Sequence, residues 1–134
     1  MKLTQLVTGI ILCILSGCGI INPKADHANL GDSIWTLIAI NQTPVKLQNA
    51  SIKFDEKESK IKGAAACNSF GASYEMLKNA IKFESLITTK KYCEGLMDEE
   101  NQIITNLQNI DRYEVKANVL YFYSSDQLLL TYKR

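Results

Sequence analysis

From residue 33 onward, apolar and polar positions alternate over short runs, and this period-two pattern breaks only once. Ser33–Ile40 is rich in β-branched and aromatic residues and reads as a strand, with Trp35, the sole tryptophan, as its core anchor. Asn41–Pro44 turns the chain. Ser51–Phe54 alternates with Ile52 and Phe54 on one face, and Asp55–Ser59 is a charged, exposed turn. Lys60–Ala66 is the next strand, and its Gly63 and alanines leave room for close packing. A run of small residues then climbs to Cys67-Asn68, turns over at Gly71 and resumes at Tyr74. Tyr74–Leu77 and Ala80–Thr88 are predicted as a hairpin around Lys78-Asn79, with Ile81, Phe83 and Ile87 spaced at period two.

The break comes after Cys93. From Glu94 to Ile110 the apolar residues Leu96, Met97, Ile103, Ile104, Leu107 and Ile110 form a helical stripe. Asp98, Glu99 and Glu100 crowd its first turn, where the helix dipole favours acids, so this charge run reads as a helix start and not as an acidic site. Strands follow at Tyr113–Ala117, Val119–Ser124 and Gln127–Lys133, with turns at Asn118 and Ser125-Asp126; the last alternates Leu128, Leu130 and Tyr132. The expectation is a mainly β (α+β) domain over residues 33–134. It is a curled antiparallel sheet or small barrel of about eight short strands with one packed α-helix.

Ahead of this domain the pattern is different. Lys2 is the only charge before the apolar run Leu6–Leu15, which meets Leu15-Ser16-Gly17-Cys18. A positive start, a short apolar run and small residues at the cut describe a secretory signal, residues 1–17. Its end resembles the lipobox of bacterial lipoproteins. That resemblance implies cleavage before Cys18, lipidation of Cys18 and anchoring by several acyl chains. Gly19 after the cysteine implies, in the same family, sorting to the outer membrane, with the domain facing the periplasm. An uncleaved membrane helix over Leu3–Ile21 is the alternative. Residues 18–32 then read as the lipidated cysteine and a tether, and they hold His27, the chain's single histidine.

Composition narrows the function classes. The chain is 46% hydrophobic and 22% charged, which is globular. Its 15 Lys+Arg against 14 Asp+Glu leave no basic stripe for a nucleic acid. With the one histidine in the tether, a hydrolase has no base to activate a serine or cysteine, and no carboxylate pair stands out, so no catalysis and no cofactor are expected.

Cys67 and Cys93 both lie in the exported portion, and pairing them closes a loop of 27 residues, adding roughly 3–4 kcal/mol. Two buried free thiols and a metal site stay open as alternatives, although no C-x-x-C spacing or neighbouring histidine supports a metal.

The order of motifs then becomes informative. Trp35 and Leu37 open the first strand, and Cys67, Asn68, Gly71 and Tyr74 form a Cys-Asn-x-x-Gly-x-x-Tyr. Thr89 and Cys93 form a Thr-x-x-x-Cys, followed by the helix and a Leu-x-Leu strand. This order resembles the META domain, or heat-shock protein HslJ-like, family over about 100 residues. The family usually has Gly-Cys-Asn where this chain has Ala66-Cys67-Asn68, and Met-Ala where it has Lys91-Tyr92. The resemblance implies a compact β-rich fold with a helix, often secreted or lipid-anchored, tied to envelope stress, drug tolerance and virulence or motility, with no catalytic residue to transfer.

The expected function is therefore an accessory or interaction role in the envelope, with a protein partner met through the turn Ser69–Ser73 or the exposed face of Glu94–Asn109. Inhibition of a foreign hydrolase is one form such a role takes. Asn68 is expected to hold the chain reversal after Cys67. The alternative function is carriage of a small apolar ligand in a barrel mouth lined by Tyr113, Tyr121, Tyr123 and Tyr132.

Overall fold

The computed structural model describes residues 30–134, so the predicted signal, Cys18 and His27 lie outside the described residues. Alternating side chains and two-residue turns build the strands β1 (Ile34–Ile40), β2 (Thr43–Pro44), β3 (Ala50–Asp55), β4 (Lys60–Ala65), β5 (Asn68–Leu77) and β6 (Ala80–Thr88). The helix α1 (Met97–Asn109) follows, then β7 (Arg112–Lys116), β8 (Val119–Ser124) and β9 (Gln127–Lys133). Every pairing is antiparallel, in the order β2-β1-β3-β4-β5-β6-β7-β8-β9, and β1 also pairs with β9. The sheet therefore closes into a barrel, with the two-residue β2 attached to the end of β1. Among the described residues, the mainly β architecture with a single helix is as expected.

The barrel is weakest between β6 and β7, which share the single pair Ala80↔Arg112. Helix α1 connects these two strands and sends Ile103 and Leu107, both fully buried, into the core. Glu100 at its start bonds the β4–β5 turn, while Asn106 donates to Asn41 Oδ1 at 3.1 Å and to Leu129 O at 3.3 Å. The helix thus covers the barrel end that carries the β1–β2 and β4–β5 turns.

The opposite end is closed by residues expected in the tether. Leu30 is fully buried, and the Glu56 carboxylate accepts the N–H groups of Leu30 and Gly31 at 3.1 and 2.9 Å. Trp35 Nε1 donates to Leu30 O at 3.0 Å. The domain therefore begins before Ser33. Leu30 was illegible because one apolar residue in a polar stretch has no period to announce it.

Inward-facing residues fill the barrel. Phe83, Phe122 and Tyr132 meet edge to face at centroid distances of 5.7 and 5.9 Å, a favourable arrangement for ring quadrupoles. Gly63 lets β3, β4 and β5 close on one another, since a Cβ there would lie 2.3 Å from the Phe70 ring and from Ser51 O. In β9, Leu130 and Tyr132 are buried as the alternation predicts, but Leu129 and Thr131 on its other face are buried as well.

Three expectations are overturned. The chain does not turn over at Gly71, nor is Ser69–Ser73 a turn: β5 runs unbroken through both. The reversal is one step earlier, at Ala66-Cys67, where Ala66 takes φ +65°. The small residues there serve strand packing and not a turn. In β6, Ser85 takes φ +54° and the register to β5 shifts, so Ile87 leaves the phase of Ile81 and Phe83 and is 72% exposed. A bulge adds one residue and flips every later side chain, which periodicity alone does not reveal. The helix itself is shorter than its stripe: Glu94–Leu96 is a turn containing Gly95 at φ +75°.

Candidate functional site

At the helix-covered end, the β4–β5 turn and the segment Thr89–Cys93 come together on a single buried side chain. Asn68, the first residue of β5, is only 2% exposed. Its Oδ1 accepts from Thr89 Oγ1 and from Lys91 N, each at 2.7 Å. Its Nδ2 donates to Lys91 O at 2.9 Å and to Glu100 Oε1. Both lone pairs and both protons of the amide are thus used. The β ladder continues beside it through Thr89 N to Ser69 O at 3.0 Å, and Ser69 N returns to Thr89 Oγ1 at 3.1 Å.

The same two segments are also joined covalently. Cys67 and Cys93 are disulfide-bonded, with Cα atoms 6.0 Å apart, inside the usual span for such a bridge. This resolves the alternatives left open by the sequence in favour of the bridge. Below both lies Glu100, whose carboxylate accepts Asn68 N at 2.8 Å and Cys67 N at 3.2 Å. Among the described residues, no group of three or more His, Cys, Asp or Glu side chains gathers in a metal-binding arrangement.

The motif residues divide between the two ends. Cys67, Asn68, Thr89 and Cys93 form this node. Trp35 and Tyr74 belong to the other end, near Glu56. Trp35 packs under the Arg134 guanidinium at 4.6 Å, and Tyr74 meets the edge of Phe54 at 5.5 Å. Burial, helped by Glu56 and Asp55, pushes the Tyr74 hydroxyl above its usual pKa. Gly71 sits mid-strand, where an added Cβ would make an ordinary 3.5 Å contact to Ile61 O. The role expected for Asn68 was local, at one chain reversal; its bonds instead span β5, the segment before α1 and α1 itself.

The sequence reading places Glu100 at the helix start and Lys91 among the departures from the family, and gives neither a role in this node. The signal for Glu100 was its position. It lies three, four and seven residues before Ile103, Ile104 and Leu107, which puts an acid on the apolar stripe of the helix. Lys91 contributes only its main chain, which no side-chain pattern announces.

The four tyrosines of the carrier reading do not converge. Tyr113 and Tyr132 point into the packed core, and burial raises both hydroxyl pKa values. Tyr121 and Tyr123 stand on the outward face of β8. Tyr123 lies under the Arg112 guanidinium at 4.0 Å and donates to Glu114 at 3.3 Å.

A barrel of this order, with a helix between β6 and β7 and the Cys-Asn turn at its covered end, is matched by a family model. The META domain model covers residues 28–134. The chain belongs to the META domain family. The match also takes in Leu30 and Gly31, which close the barrel. Solved structures share the fold. An NMR structure of a protein from Burkholderia xenovorans is 21% identical, with 78% of this chain and 83% of that one covered at a TM-score of 0.65. A second NMR structure is 26% identical, covering 78% and 90% at 0.63. A DUF4847 family protein from Bacteroides vulgatus ATCC 8482 is 15% identical, covering 62% and 57% at 0.50. No curated protein matches the sequence.

Proposed function

We propose that this META domain is the exported part of a lipid-anchored envelope protein and works without catalysis, by binding a protein partner in an accessory role in envelope stress or drug tolerance. The observation that carries the reading is the Cys67–Cys93 disulfide, because such bonds persist in oxidising compartments. The route out is the apolar run ending in Leu15-Ser16-Gly17-Cys18, with Cys18 as the lipidated residue and the outer membrane, periplasmic side, as its destination. The domain from residue 28 onward contains no histidine to serve as a base, which supports a non-catalytic role. Nothing favours the carrier reading, whose tyrosines diverge and whose barrel interior is occupied by aromatic and aliphatic side chains.

The test is the intact mass of the protein extracted from membranes, before and after reduction. A lipid-modified mass beginning at Cys18, with no thiol alkylated until reductant is added, is the expected result. A chain beginning at Met1 with freely reactive Cys67 and Cys93 overturns the anchor and the compartment together.

A further inference from the structure

The segment Thr89–Cys93 alternates in a way that the barrel does not require. It is anchored at every second residue, Thr89 by Ser69, Lys91 through its main chain by Asn68, and Cys93 by the disulfide. The residues Thr89–Tyr92 are exposed, Tyr92 by 80%. Among the described residues, the N–H and C=O groups of Lys90 and Tyr92 have no hydrogen-bond partner. An ordered segment that offers free main-chain groups and a basic side chain is what an endopeptidase cleft reads, by strand-like pairing plus one pocket.

One feature separates a trap from a substrate. The Asn68 side chain holds both sides of the Lys90–Lys91 peptide bond, through Thr89 Oγ1 on one side and through Lys91 N and O on the other. We propose that Thr89–Cys93 is an inhibitory loop for a serine peptidase of trypsin-like specificity, with Lys90 entering its acid-floored pocket. This rests on the interaction reading above and names its partner class.

If the peptidase opens the bond, its serine Oγ takes the Lys90 acyl group, and the Lys91 nitrogen leaves as an amine after receiving the serine proton through the peptidase base. Asn68 Oδ1 keeps that amine beside the ester. Reverse attack then re-forms the peptide and returns the proton, in preference to release and hydrolysis. Ordering by the disulfide and Asn68 is complete before the partner arrives, so association loses little further conformational freedom.

The experiment uses the purified oxidised chain against a trypsin-type peptidase, read by hydrolysis of a chromogenic lysine substrate, with product N-termini sequenced. Reversible one-to-one inhibition is expected, weakened about 100-fold in Lys90→Ala, whose exposed side chain contributes nothing to the fold. Asn68→Ala is expected to turn inhibitor into substrate, cut after Lys90 at least about 10-fold faster. Should that variant fail to fold, Thr89→Val removes one side of the clamp at an exposed position and is expected to move the cleavage rate the same way. No inhibition at large excess, inhibition indifferent to Lys90, or rapid cleavage after Lys90 in the unaltered chain overturns the proposal. None of these results bears on the mass of the anchored protein, so the two readings fail separately.

Discussion

The carboxylate of Glu100 and the side chain of Asn68, 32 residues apart, are hydrogen-bonded in the covered end of the barrel, and the same carboxylate accepts the main-chain N–H of Asn68 at 2.8 Å. One helix residue thereby fixes the turn that carries Cys67 and the amide that grips Lys91. Replacing Glu100 with Ala takes this acceptor from Asn68 N and from one proton of the Asn68 amide, while Cys67 N keeps its bond to Ala65 O at 2.9 Å. The expected loss is about 2–4 kcal/mol, with unmade bonds at buried groups setting the scale. Denaturant unfolding checks it, and Glu100→Gln, which keeps one carbonyl acceptor, is expected to lose less.

Ala66 occupies a left-handed conformation at φ +65° in the turn before Cys67. Its Cβ costs about 1–2 kcal/mol in that region, partly offset by the greater freedom of unfolded glycine. Ala66→Gly is expected to stabilise the fold by about 0.5–1 kcal/mol. Thermal unfolding with the disulfide intact provides the comparison, and a lower melting temperature contradicts the account.

Gly63 presents the reverse case. A methyl group there would meet both the Phe70 ring and the fixed carbonyl of Ser51 at 2.3 Å, so the neighbouring strand has to move. Gly63→Ala is expected to cost about 3 kcal/mol, the upper part of the range for overpacking. Gly71→Ala, with its nearest contact at 3.5 Å, is expected to be tolerated. Equal stabilities of the two variants would refute the distinction.

Tyr132, Tyr74 and Tyr113 share a pH consequence. Burial raises all three hydroxyl pKa values in the folded chain, with Glu56 adding to Tyr74 and Tyr113. Above about pH 10 the unfolded chain releases these protons while the folded chain retains them, so stability is complete below that pH and falls as pH rises. The slope approaches about 1.4 kcal/mol per pH unit for each tyrosine still protonated only in the fold. Denaturation midpoints from pH 8 to 11, followed with tyrosinate absorbance, measure it; a flat profile contradicts the burial.

The disulfide closes the loop from Cys67 to Cys93. Its removal in the double variant Cys67→Ser with Cys93→Ser is expected to cost roughly 3–4 kcal/mol through the unfolded chain's regained freedom. The loop Thr89–Lys91 is expected to stay seated on Asn68, since those bonds do not involve sulfur. Amide exchange at Lys91 distinguishes this from general loosening of the covered end.

Alternation along the chain determined the strand-rich class, the inward set Trp35, Ile52, Phe54, Ile81, Phe83, Leu130 and Tyr132, and the one helix, because burial on one face imposes a period that survives without neighbours. The motif order around Cys67, Asn68 and Cys93 carried the family. Tertiary structure decided the rest. No glycine marks Ala66, Lys78, Ala117 or Ser125, yet each takes positive φ in a two-residue turn, because the paired strands dictate the turn geometry. The bulge at Ser85 depends on register against β5, and the burial of Leu30 on a carboxylate 26 residues away. Asn68 and Glu100 look like a turn residue and a helix-start acid until the closed barrel places them together. Periodicity is local and can be read from neighbours in sequence, whereas hydrogen bonds that satisfy buried main-chain groups are made between segments and exist only once the barrel has closed.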